Sequence, residues 1–245
     1  MCTVSFFPVN EYDWLLSTNR DEMKSREKAL APITQKAGSQ SYLSPIDGKA
    51  GGTWIGLNSA KVGLAIMNNY QGTNPLLFHR EDALSRGLII PGLMHLESLK
   101  AVEHDMQELD VTRHNPFVLI GIQSNPWAIR QWSWDGQEFT THSLPVRPHL
   151  WISSGKEFQG VWENRKKVFD NFLKEHPVPN VNDIKKLHSS SAPEPGAYSI
   201  AMEQDMVGTV SNTIAEVSRE HFRMHYHDGK PVEGGFWGVT ELTAL

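Results

Sequence analysis

The chain has 245 residues, of which 39% are hydrophobic, and a formal charge of −5 that comes from 23 Lys and Arg against 28 Asp and Glu. This length suits one large domain or two small ones, and the hydrophobic content is enough for a substantial core. No basic run has the pattern of a protein that follows a phosphate backbone, so nucleic acid is not expected as a partner. No apolar run reaches the roughly 20 residues that span a bilayer, so no transmembrane segment is expected.

Cys2 is the only cysteine and lies directly after the initiator methionine. A single cysteine cannot form an internal disulfide, and the N-terminus lacks the basic and apolar segments of a signal peptide, so a cytoplasmic location is expected. If Met1 is removed, Cys2 carries a nucleophilic thiol and, in its α-amine, a general base. The ordinary pKa values are about 8.5 for the thiol and about 8 for the amine, so neighbouring charges can tune both near neutral pH.

Two short strands are predicted at residues 3–7 and 14–18, joined by a polar turn. Such a hairpin returns to its starting end, which brings Arg20 and Asp21 beside Cys2. Arg20 could then lower the pKa of the thiol or hold a substrate carboxylate, and Asp21 could orient Arg20 or the α-amine. The alternative is that Cys2 is a small buried apolar residue and that Arg20 and Asp21 form a local ion pair.

The next part of the chain is predicted to be a loop over residues 23–41, followed by the glycine pair Gly51-Gly52 and a strand. Paired glycines before a strand indicate a positive φ or a close approach to the backbone. A second strand at residues 62–67 ends at Asn68 and Asn69, which are either turn residues or amide donors to an oxyanion.

Beyond residue 80, helical spacing interrupted at Pro91-Gly92 predicts two helices up to residue 109. In the middle of the chain, strands are predicted at 117–122 and 149–152, with a hairpin around Asp135-Gly136 between them. Helices are predicted from residue 157 and at 182–187, followed by a loop at 189–196. The last predicted elements are a closing hairpin of 198–202 with 208–217 and a strand at 221–226. No repeat or linker divides the chain, so we expect one α+β domain, 1–245, with helices covering stacked sheets.

At this point several motifs resemble the NRDE family, the family of the eukaryotic transport and Golgi organisation protein. They occur in the family's order over nearly the whole chain: Cys2-Thr3-Val4, Asn19-Arg20-Asp21-Glu22, Ala50-Gly51-Gly52-Thr53-Trp54-Ile55-Gly56, Ser85-Arg86-Gly87, His149-Leu150-Trp151 and Gly208-Thr209-Val210-Ser211 with Thr213. The resemblance implies the fold of the N-terminal nucleophile (Ntn) hydrolases, a four-layer αββα sandwich with two stacked antiparallel sheets.

The chain is similar to the branch that contains penicillin V acylase and the bile salt hydrolases, whose N-terminal cysteine cleaves carbon-nitrogen bonds of linear amides. The resemblance implies the catalytic residues Cys2, Arg20, Asp21 and Asn69, with Asn68 as the other candidate for the oxyanion asparagine. Expected substrate-binding residues are Asn19, Asn68, Trp54 and Ser153. The chain departs from those amidases where Ser153-Ser154 replaces a later asparagine and where no late arginine occurs near residues 208–213.

The second hypothesis is a non-catalytic binding or carrier protein, with haem as a possible ligand because the eukaryotic relatives are associated with haem trafficking. His225 and His227 would share one face of a strand, the spacing of a ligand pair. The alternative is a pair of solvated histidines on an edge strand, since no cysteine or acidic partner is expected beside them. No metal or cofactor is required by the first hypothesis, the expected partner is a small molecule, and the oligomeric state is left open.

Overall fold

The computed structural model describes residues 2–71, 80–155, 157–232 and 234–242. Two antiparallel sheets form the centre of the protein. The first has the strand order β10-β1-β2-β11-β12-β13, and its strands in chain order are β1 Cys2–Pro8, β2 Trp14–Met23, β10 His149–Ser153, β11 Val207–Val217, β12 Phe222–Asp228 and β13 Gly238–Leu242. The second runs from β3 to β9 in sequence order, with β3 Leu30–Ala37, β4 Gln40–Ile46, β5 Ile55–Asn58, β6 Val62–Asn68, β7 Phe117–Gln123, β8 Ala128–Trp134 and β9 Phe139–Ser143.

Side chains alternate between the two faces of each strand, and this alternation builds three hydrophobic layers. Between the sheets, Val4, Phe6 and Leu16 of the first sheet pack with residues of the second sheet such as Leu57 and Ile120. Because both sheets contribute one apolar face to this layer, they stack directly on one another.

Helices cover the outer face of each sheet. The helices α1 Ile89–Leu93 and α2 Leu99–Glu108 pack on the second sheet, whereas α3 Phe158–Glu175 and α4 Val181–His188 pack on the first. This order of layers is the predicted four-layer αββα sandwich.

Three predicted segments differ from the structure. Residues 30–37 form the edge strand β3, which the sequence hid because most of its side chains are exposed and Pro32 lies at a break in its pairing with β4. Pro91 and Gly92 lie inside α1, where Pro91 occupies the first turn and so leaves no helical hydrogen bond unmade. Residues 198–202 form no strand, and β11 pairs with β2 and β12 instead.

Candidate active site

Cys2 is the first residue of β1 and lies between two neighbouring strands. It is directly opposite Arg20 on β2 and Ser153 on β10. Directly opposed residues of antiparallel strands project to the same face, so Cys2, Arg20 and Ser153 all face the second sheet. The predicted hairpin therefore brings Cys2 and Arg20 together.

A cavity of about 610 Å³ opens beside Cys2. The first sheet contributes Arg20, Asp21 and Glu22 to its wall. The second sheet and the segments beside it contribute further polar lining, including Asp47, Thr53, Trp54, Asn68, Tyr70, Arg86 and Asn115. The volume is that of a typical small-molecule site.

The Arg20 guanidinium is fixed by a carboxylate and an aromatic ring. Its Nη2 lies 2.5 Å from Asp47 Oδ2, and its Cζ lies 4.8 Å from the centre of the Trp54 ring. Asp47 also accepts two hydrogen bonds of 3.0 Å from Arg26. Sequence reasoning offered two roles for Asp21, to orient Arg20 or to orient the α-amine, and the structure gives the first of these roles to Asp47.

Asp47 is held as an anion by its surroundings. Burial alone would raise its pKa, but hydrogen bonds from Arg26 and the Ala50 N–H, together with the charges of Arg20 and Arg26, place the pKa below its usual value. The carboxylate therefore pairs with two arginines at once. The turn that carries it is closed by the 2.8 Å bond from Ala50 N to Asp47 Oδ1.

Asp21 lies at the edge of the cavity and contacts both the neighbouring strand β11 and the helical layer. Thr209 Oγ1 donates to its Oδ1 at 2.7 Å, and Arg165 Nη1 of α3 lies 3.8 Å from its Oδ2. Burial raises the pKa of Asp21, and the charge of Arg165 and the bond from Thr209 oppose this rise without cancelling it. Arg165 is completely buried and also donates to Thr3 Oγ1 at 2.6 Å.

Burial also dominates the chemistry of the thiol. It raises the pKa of Cys2, the charge of Asp21 adds to the rise, and the charge of Arg20 opposes it without cancelling it. The charge of Arg20 therefore acts in the predicted direction, but burial outweighs it. Cys2 holds its proton at neutral pH, so an attack by its sulfur needs a base.

The two candidate oxyanion asparagines point into different cavities. Asn68 borders the Cys2 cavity, and its Nδ2 donates to the Tyr70 hydroxyl at 2.6 Å. Asn69 borders a second cavity of about 470 Å³, where its Nδ2 donates to Trp134 O at 3.2 Å. The structure thus brings Asn68, and not Asn69, together with Cys2.

Of the other expected binding residues, Trp54 lines the Cys2 cavity, whereas Asn19 and Ser153 do not. Trp54 lines the cavity under Arg20. Asn19 faces the helices, where its Nδ2 donates to His188 O and Ile200 O, both at 2.9 Å, so it holds structure and does not reach the cavity. Ser153 is buried next to Cys2 but does not line the cavity, which its neighbour Ser154 does.

Sequence reasoning missed Asp47, Arg86 and Arg165. Arg165 had a readable signal: it occupies the helical position between Val161 and Phe169, in the middle of the apolar face of α3. A charged residue there predicts a buried ion pair. Arg86 stood in the Ser85-Arg86-Gly87 motif without an assigned role.

The histidine pair on β12 has contacts of its own. His225 Nε2 lies 2.8 Å from Glu216 Oε2, which is the acidic partner that the sequence analysis did not expect. His227 contacts the carbonyl oxygens of Phe236 at 2.7 Å and Lys230 at 3.2 Å. Within the described ranges, no group of three or more His, Cys, Asp or Glu side chains is arranged to hold a metal ion.

Comparison with known proteins identifies the family. The model of the family described as Transport and Golgi organisation 2 matches residues 1–228. The chain belongs to this family. No curated protein matches the chain. Among the helices of the described part, none is long and apolar enough to cross a membrane.

Solved structures show the fold of this Transport and Golgi organisation 2 family member. The Caenorhabditis elegans N-acylethanolamine-hydrolyzing acid amidase ortholog is 12% identical, with a TM-score of 0.59 over 87% of this chain and 92% of that one. Penicillin V acylase from Agrobacterium tumefaciens is 9% identical, with a TM-score of 0.54 over 100% of this chain and 87% of that one. A variant of conjugated bile acid hydrolase from Clostridium perfringens is 8% identical, with a TM-score of 0.59 over 99% of this chain and 98% of that one. The protein therefore has the Ntn-hydrolase fold.

Proposed function

We propose that this protein is an Ntn-type cysteine hydrolase that cleaves the carbon-nitrogen bond of a small linear amide, with Cys2 as the nucleophile after removal of Met1. The observation that carries the proposal is the position of Cys2, at the start of a central strand, opposite Arg20 and at the wall of a cavity of about 610 Å³. The likeness of the fold to amidases supports the reaction class.

The raised pKa of Cys2 defines what the mechanism requires. Once Met1 is removed, the free α-amine of Cys2 takes the thiol proton, and the sulfur attacks the amide carbonyl carbon to form a carbon-sulfur bond. The ammonium then protonates the amide nitrogen, the carbon-nitrogen bond breaks, and the amine leaves. Water attacks the thioester, its proton passes to the α-amine, and the sulfur leaves with release of a carboxylic acid.

The surrounding side chains position this chemistry. Asp21 follows Arg20 on β2, beside the end of β1 at which Cys2 begins, and its carboxylate is suited to accept a hydrogen bond from the α-ammonium. Arg20 is held in place by Asp47 and Trp54. Asn68, the one of the two candidate asparagines that borders the cavity, is suited to donate to the oxyanion.

The decisive experiment compares the wild type, freed of Met1 as checked by intact mass, with Cys2→Ala on a panel of linear amides. We expect the wild type to turn over at least one amide and Cys2→Ala to have no measurable turnover, while both unfold at similar temperatures. Wild-type protein with an added N-terminal extension is the matched control, since it keeps the thiol but blocks the α-amine. Turnover by Cys2→Ala would contradict the proposal.

The asparagine assignment has its own test. Because Asn68 borders the Cys2 cavity and Asn69 does not, Asn68→Ala should lower kcat by about 100-fold or more, as the loss of one oxyanion donor does. Asn69→Ala is the neighbouring control and should change kcat less than threefold, in line with its position at the second cavity. Equal losses in both variants would remove Asn68 from the mechanism.

The carrier hypothesis, with haem as one ligand, predicts the opposite result. If the wild type without Met1 and Cys2→Ala are equally inactive on every amide, haem titration of the wild type and of the His225→Ala/His227→Ala variant becomes the next measurement. Unchanged Soret binding in the double variant would exclude these two histidines as ligands.

A further inference from the structure

Arg86 is an arginine of the cavity wall whose charge has no carboxylate partner in the described part of the chain. It begins the short 3-10 turn Arg86–Leu88, and its Nη1 donates to Pro116 O at 2.9 Å. No Asp or Glu oxygen of the described residues lies within 4.0 Å of its guanidinium. The guanidinium has five N–H donors, so most of them are available to a ligand.

The other three arginines around the site are already paired. Arg20 and Arg26 share Asp47, and Arg165 lies beside Asp21. The role first considered for Arg20, to hold a substrate carboxylate, is therefore disfavoured, because a second anion would have to compete with Asp47 at 2.5 Å.

Glu22, the other acidic residue of the cavity wall near Arg86, does not pair with the Arg86 guanidinium. Glu22 borders the same cavity, but it pairs with Arg26 at 3.7 Å. Burial lowers the pKa of Arg86, because removing the guanidinium from water destabilises its charged form. A bound anion would offset this desolvation.

The backbone holds Arg86 in position before any ligand arrives. Thr53 N donates to Gly87 O at 2.9 Å, and a Cβ on Gly52 would lie only 2.4 Å from Gly87 C. The segment that carries Arg86 is thus pressed against the turn before Trp54. A preorganised guanidinium loses little freedom on binding, which favours a planar partner such as a carboxylate.

We propose that Arg86 binds a carboxylate of the substrate, so that the amide cleaved at Cys2 is one that also carries a carboxylate. This inference rests on the proposed function for the reaction, but the binding of the carboxylate can be tested without turnover. It adds a specificity-determining residue to the site and defines the substrate as an anionic amide.

The test uses a matched pair of probes, N-hexanoylglycine and its neutral carboxamide. The wild type should favour the carboxylate by about 10- to 100-fold in kcat/KM, the range expected for a hydrogen-bonded charge pair. Arg86→Gln should remove this preference, and Arg86→Lys should restore part of it because it keeps the charge but loses the planar fork. The control is Arg130→Gln, which removes an arginine paired with Glu103 outside the cavity and should leave the preference unchanged.

A binding measurement separates this inference from the reaction. In the Cys2→Ala background, calorimetry should show that N-hexanoylglycine binds at least tenfold more tightly than the carboxamide, and that Arg86→Gln abolishes the difference. If the wild type cleaves neither probe but this difference is found, amide hydrolysis loses support while the carboxylate site stands. If Arg86→Gln, folded as judged by its melting temperature, keeps the wild-type preference in turnover, or if the two probes bind equally or not at all to Cys2→Ala, the inference is overturned.

Discussion

The two faces of the β1–β2 hairpin use polar residues in opposite ways. On the face toward the helices, the polar side chains contact one another and are buried: Thr3, Ser5, Asn19 and Asp21 with Arg165, His188, Thr209 and Asn212. On the face toward the second sheet, Cys2 and Arg20 open onto the cavity that Arg86 also borders.

This difference separates support from chemistry. Because successive residues of a strand project to opposite faces, Asp21 reaches the helical layer while its neighbour Arg20 faces the cavity. The contacts on the helix side hold the strands in register. The side chains on the cavity side, such as Cys2 and Arg86, face a space in which a ligand can contact them. Changes on the helix side should therefore lower the free energy of unfolding, whereas changes on the cavity side should alter activity and affect stability less.

The largest expected effect is at Arg165. Arg165→Leu removes the buried Arg165 cation from beside the Asp21 carboxylate and removes the donor to Thr3, so we expect a loss of about 3–5 kcal/mol in the free energy of unfolding. Urea unfolding measures it. Arg26→Gln is the control on the cavity side, and it should cost about 1 kcal/mol or less because its ion pair is partly solvated. Equal losses would remove the contrast between the two faces.

The next effect depends on pH and concerns His188. This buried imidazole lies 2.7 Å from Ser5 Oγ, and burial, together with the charge of Arg165, lowers its pKa from 6.5 to about 3. The unfolded chain therefore binds a proton in this range that the folded chain does not. The stabilising contribution is complete above pH 6.5 and is lost as the pH falls toward 3, at about 1.4 kcal/mol per pH unit.

Unfolding of His188→Gln as a function of pH checks this assignment. The variant should lack that part of the acid slope. Ser5→Ala keeps the imidazole buried, so it should retain the slope while losing about 1 kcal/mol at every pH. A wild-type slope in His188→Gln would mean that another group causes the acid sensitivity.

The smallest expected effect concerns the backbone of the cavity wall. Gly52→Ala would place a Cβ 2.4 Å from Gly87 C and 2.6 Å from Gly87 O, so we expect a loss of about 1–3 kcal/mol. Gly92→Ala in α1 is the matched control: a Cβ there meets nothing within 4 Å, and the change should be neutral or stabilising by about 0.5–1 kcal/mol. Chemical denaturation of both variants measures the difference. A harmless Gly52→Ala would show that the Arg86 segment can move away from the turn.

Much of the fold could be predicted from local patterns. The strands around Val4, Leu64 and Ile120 carry dense apolar runs, and the stripe from Phe158 to Phe172 marks one buried helix face. The edge strand β3 was not predicted, because its side chains are mostly exposed. Its sequence therefore lacks the alternation of apolar and polar residues that marks a half-buried strand.

The sequence by itself determined the elements of the hairpin that set Cys2 opposite Arg20, since a short turn and period-two alternation specify that register. Only the tertiary structure decided which charges meet. Asp47 reaches Arg20 across 27 residues, Arg165 reaches Asp21 across 144, and Asn68 rather than Asn69 reaches the cavity. Such pairs depend on how separate sheets and helices stack, and no local spacing encodes a contact between side chains so far apart in the chain.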